Sequence, residues 1–68
     1  MNSLMLKSVM TLHQDTNKDL ANFLGLSEQS VCNKINENGT EFKLGEIRRI
    51  KIRYLLTPAE VDTIFFDK

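Results

Sequence analysis

Glu28, Gln29, Ser30, Asn33 and Lys34 place five hydrogen-bonding side chains within seven consecutive positions. The two amides are the most informative. A carboxamide offers a donor and an acceptor side by side, the pattern that pairs with the N6 and N7 edge of adenine. Ser30 can donate or accept, Lys34 offers a cation to guanine or to a phosphate, and Glu28 can accept from the exocyclic amine of cytosine. This is the chemistry of recognition rather than of bond making. His13 is the single histidine and Cys32 the single cysteine, so no Cys/His metal cluster and no internal disulfide can be assembled. Neither stands in a nucleophile motif, and Asp15, Asp19, Glu37 and Glu41 share no catalytic spacing. Neither an enzyme nor a cofactor is expected, and Cys32 reads as inert apolar filler.

Recognition chemistry needs a rigid element to present it. Ser27 is a good N-cap, so a helix is predicted from there to about Asn36, with Val31 and Ile35 inward. Glu28, Gln29, Ser30, Asn33 and Lys34 are then left for the opposite face. A second helix precedes it almost without a gap. Thr16-Asn17-Lys18-Asp19 reads as a capping box, Leu20, Ala21, Phe23 and Leu24 continue it, and Gly25 suits a left-handed end. Residues 3 to 13 predict a first helix capped by Ser3, with Leu6, Val9, Met10 and His13 on one side. After a turn from Glu37 to Thr40, Phe42 and Leu44 open a fourth helix whose Ile47, Ile50 and Tyr54 share a side. Thr57-Pro58-Ala59-Glu60 joins an N-cap, a first-turn proline and a capping glutamate, and starts a fifth helix through Val61, Ile64 and Phe65. No alternating strand pattern or repeat interrupts the series. The expected fold is all-α, a single compact five-helix bundle over residues 1–68.

A chain of 68 residues builds one core of marginal stability, and packed helices or self-association must supply the rest. Lys7 breaks the first apolar stretch and no segment reaches the length of a membrane span, so a cytoplasmic location is expected. The net charge of zero runs against the basic composition of most nucleic-acid binders. Its distribution is less even. Between Lys43 and Tyr54, Lys43, Arg48, Arg49, Lys51 and Arg53 face only Glu46, so a neutral total conceals a positive stripe.

The stretches Thr16-Asn17-Lys18-Asp19-Leu20-Ala21, Leu24-Gly25-Leu26-Ser27 and Ser30-Val31 resemble the phage repressor and Cro-like helix-turn-helix proteins, the lambda-repressor-like class. Asn33-Lys34-Ile35-Asn36, Glu41 to Ile47, and Leu56-Thr57-Pro58 through Phe66 extend the likeness to small early regulators of temperate phages. The chain departs from that pattern at Asn17, where glutamine is usual, and at Lys34, where an aliphatic residue is usual, with Ile35 taking the inward role one position later. The resemblance implies an operator-binding regulator of the lysis-lysogeny decision. The first helix of the pair then lies across the DNA backbone and the second enters the major groove. Base contacts are implied for Glu28, Gln29, Ser30 and Asn33, with Lys34 reaching guanine or phosphate. Phosphate contacts are expected from Asn17, Asn36, Thr40 and Lys43.

The alternative expectation is a modulator, or anti-repressor, that pairs with the phage's own repressor. Neutral charge and Glu28 suit that class. Ile64, Phe65 and Phe66 are adjacent and cannot all face one core from one helix. They are therefore the expected contact, either with a second copy in a homodimer on DNA or with the repressor.

Overall fold

The chain's helix starts are set by side chains that satisfy the free amides of each first turn. In the computed structural model, which describes residues 1–66, the described residues form five helices and no strand. They are α1 (Ser3–Leu12), α2 (Asn17–Leu24), α3 (Glu28–Ile35), α4 (Leu44–Arg53) and α5 (Pro58–Phe65). The fold is all-α, as the periodicity predicts. The Asp19 amide donates to Thr16 Oγ1 at 3.2 Å and the Thr16 amide to Asp19 Oδ2 at 3.0 Å, closing the capping box of α2. Thr57 and Glu60 do the same for α5, at 3.1 and 2.9 Å. Each such cap is worth about 1 kcal/mol. Asn2, not Ser3, caps α1, its Oδ1 accepting from the Met5 amide at 3.1 Å. Ser3 Oγ instead donates to the Ile35 carbonyl at 2.6 Å, stitching the start of α1 to the end of α3. Helix α4 begins after Phe42, which stays in the preceding loop and turns its ring into the core.

Four helices end in one and the same way. The amide three residues past the last helical position, or two past it in α2, reaches back to close a wide turn: Asp15 to the Met10 carbonyl at 2.8 Å, Leu26 to Ala21 at 2.9 Å, Asn38 to Asn33 at 2.9 Å and Leu56 to Lys51 at 3.0 Å. The residue before each donor is left-handed, with φ of 58° at Gln14, 73° at Gly25, 56° at Glu37 and 53° at Leu55. Only Gly25 adopts that conformation without cost. A side chain with a Cβ costs roughly 1 kcal/mol there.

Leu6 and Met10 of α1, Leu20, Ala21 and Leu24 of α2, Val31 and Ile35 of α3, Ile47, Ile50 and Tyr54 near α4, and Ile64 of α5 form one buried cluster, completed by Phe42 and Leu56. His13, expected on the inward side of α1, is exposed. The helix stops at Leu12, so His13 leaves the helical stripe and lies beside the Tyr54 ring, centroids 5.1 Å apart. Beneath it Asp15 takes both Arg53 Nε, at 2.6 Å, and Arg53 Nη2, at 3.0 Å, and accepts from the Tyr54 hydroxyl at 2.7 Å. The Arg53 guanidinium also lies over the Phe23 ring, 4.8 Å from its centroid. Hydrogen bonding to Arg53, helped by Tyr54 and opposed by burial, holds the Asp15 carboxyl below its ordinary range. Burial first and the Asp15 carboxylate second push the Tyr54 phenol up.

Candidate nucleic-acid interface

Gly25, Leu26 and Ser27 alone separate α2 from α3. The left-handed Gly25 reverses the chain, the small Ala21 is buried, and Leu26 packs against the core. Ser27 then starts α3, its Oγ accepting from the Ser30 amide at 3.1 Å. The result brings the first turn of α2 beside the first turns of α3, and Asn17, Glu28, Gln29 and Cys32 line one open depression. Two sets of residues with different expected roles, Asn17 for phosphate and Glu28 and Gln29 for base edges, therefore share a single surface.

Gln29 Nε2 donates to Asn33 Oδ1 at 3.0 Å along the outer side of α3. The bond leaves Gln29 its Oε1 acceptor and a second amide hydrogen, the pair that an adenine edge requires. Asn33 is half-buried and keeps its own Nδ2 donors. Ser30 is also half-buried, and its hydroxyl accepts from Ser27 Oγ at 2.9 Å. Glu28 is exposed in the first turn, where its charge complements the helix dipole.

Lys34 does not belong to this face. Its side chain is buried, with the residue 8% exposed, and the ammonium donates to the Glu41 carbonyl and to Glu46 Oε1, both at 3.1 Å. The expectation of an outward Lys34 reaching guanine or phosphate is corrected. The long stem turns inward beside the Phe42 ring while the charged tip finds its partners in the loop before α4 and in its first turn. Burial pushes the Glu46 carboxyl up, but the Lys43 amide and the Lys34 ammonium outweigh it and hold Glu46 below its ordinary value. Cys32 is corrected as well: it is half-exposed at the rim of the depression rather than in the core, with Asn36 Nδ2 at 3.4 Å from its Sγ.

The outer residues after α3 divide. Asn36 and Lys43 are exposed, and Lys7 of α1 donates to Asn36 Oδ1 at 3.5 Å, adding a cation that sequence reading missed. The Ser3–Ile35 bond, which ties the start of α1 to the end of α3, brings Lys7 there. Thr40 is half-buried beside Glu37 and Glu41, an acidic setting. The positive stripe is also split. Arg53 is held by Asp15, and Arg49 reaches the Leu24 carbonyl at the end of α2, at 3.5 Å, where a cation complements the dipole. Of the three C-terminal contact residues, Ile64 is fully buried and is withdrawn from any interface. Phe65 is partly buried, edge-on to Phe42 with centroids 5.9 Å apart, and Phe66 is 54% exposed.

No helix among the described residues is long and apolar enough to cross a membrane. No protein-family model, curated protein or solved structure matches the chain.

Proposed function

We propose that this chain is a sequence-specific regulator that binds double-stranded operator DNA and acts in the lysis-lysogeny switch of a temperate phage. The observation that carries the reading is the shared depression of Asn17, Glu28 and Gln29, with Gln29 braced by Asn33. Gln29 pairs with adenine in the major groove, Glu28 and Ser30 discriminate at neighbouring pairs, and Asn17, Asn36 and Lys43 hold the backbone. Lys7 joins the phosphate contacts at the end of α3. Two copies on half-sites about 34 Å apart double the contacts that one small unit makes.

The test is a binding titration against the divergent promoter region of the cognate phage, with and without its repressor. A shifted operator in the absence of repressor, competed poorly by unrelated duplex, supports the reading; equal affinity for both duplexes defeats it.

The exposed Phe66 favours a second reading, in which the chain antagonises the phage repressor by direct contact at the C-terminal end. Phe66→Ser then abolishes a complex with the repressor that forms without DNA. If sedimentation shows no such complex with the wild-type chain, this second reading is ruled out.

A further inference from the structure

Helix α4 has three faces, and only two have partners. Ile47, Ile50 and Tyr54 enter the core, while Arg49 and Arg53 reach α2 and Asp15. The remaining face carries Leu44, Arg48, Lys51 and Ile52 and continues into the following turn with Leu55. Leu44 is 58%, Ile52 71% and Leu55 83% exposed. Arg48, Lys51, Ile52, Leu55 and Leu56 line one shallow groove. No acid shares this face, because Glu46, the single acid of α4, is turned to Lys34 and to the Lys43 amide. Arg48 and Lys51 make no ion pair among the described residues.

Leu55 concentrates the case. It is a leucine at the left-handed position of the turn that closes α4, where glycine is at ease, and its side chain is left to solvent. Exposed apolar groups that share one groove and are rimmed by charge are a feature of interaction surfaces.

We propose that this groove docks an acidic amphipathic helix of another protein. Its aliphatic side chains, spaced by three and four residues, seat on Ile52 and Leu55, and its flanking carboxylates meet Arg48 and Lys51. Charge complementarity selects this occupant. A second copy on a two-fold axis would set Arg48 and Lys51 against their own counterparts with no anion between them. Duplex DNA offers phosphate to the cations but no apolar surface to cover Ile52 and Leu55. The proposal goes beyond operator binding and does not rest on it.

The probe is a fluorescein-labelled synthetic helix of about 18 residues, leucine on one face and glutamate on the other. It is titrated by anisotropy beside its lysine counterpart and phosphatidylglycerol vesicles. The glutamate helix is expected to bind at least about tenfold tighter than the lysine helix. Leu55→Gly should weaken it about tenfold while raising the thermal midpoint, since glycine relieves the strained turn; lost binding is thereby separated from lost folding. Arg48→Glu with Lys51→Glu should reverse the preference. The proposal is overturned if neither helix binds, if both bind alike, or if Leu55→Gly leaves affinity unchanged. Vesicle binding that exceeds peptide binding and is lost in Leu55→Gly reassigns the groove to lipid. A wild-type dimer in sedimentation that Leu55→Gly dissociates reassigns it to a second copy.

Discussion

Gln29 and Asn33 lie four positions apart on α3 and are already bonded to each other, so the outer face of α3 is ordered by its own side chains. On the operator-binding reading proposed above, removing either amide should cost roughly 1 to 3 kcal/mol of operator affinity. The two losses should not add. Once Asn33→Ala has freed Gln29, the further loss on Gln29→Ala should be smaller by about 1 kcal/mol than in the wild-type background, a coupling that a double-mutant titration reads directly. Full additivity would mean that the two amides act separately on the duplex. These residue types were legible in the sequence because a carboxamide advertises its chemistry wherever it stands. Lys34 was not. Its position on the helical wheel borders the inward stripe, and the partner that settles its direction, Glu46, stands twelve residues away across a turn.

At the scale of the element, beginnings were easier to read than endings. Thr16-Asp19, Ser27 and Thr57-Glu60 carry their capping chemistry in side chains only three residues apart, so α2, α3 and α5 start where the sequence says. The endings share a backbone turn that only Gly25 marks; Gln14, Glu37 and Leu55 occupy the same left-handed position with no signal in their residue type. The tight α2–α3 connection is therefore legible from both sides, whereas the apolar periodicity of α1 runs on to His13, one residue past the helix end at Leu12. Gln14 gives the cleanest test of the strained endings, because it is exposed. Gln14→Gly should raise stability by about 1 kcal/mol, a gain of about 4 to 8 °C in thermal midpoint for a domain of this size. Gln14→Ala should give none of it. A thermal melt in which both variants match the wild type would show that the turn holds no strain.

Across the whole molecule α1 and the residues that flank it act as a brace. The Asn2 amide donates to the Ile64 carbonyl at 2.6 Å, Ser3 holds Ile35, and Asp15 holds Arg53 and Tyr54. None of these ties could be inferred from local pattern, since each joins residues more than thirty positions apart. The Asp15 clamp is also sensitive to pH. Its carboxyl ionises more readily in the folded chain than at the ordinary value of 3.8. Its stabilisation is therefore complete above that value and is lost as pH falls through the still lower folded value. Denaturant melts between pH 2 and 6 should show this loss in the wild type and a flatter profile in Asp15→Asn; identical profiles would remove Asp15 from the account. The brace also has a consequence for time. The α2–α3 turn closes between near neighbours, whereas the Asp15 clamp spans 38 positions and can form only after most of the chain has condensed. Asp15→Asn, costing about 2 kcal/mol, should then leave the refolding rate almost unchanged and speed unfolding about thirtyfold in stopped-flow traces. A small chain built this way closes its α2–α3 pair early and owes the lifetime of its native state to a latch that shuts last.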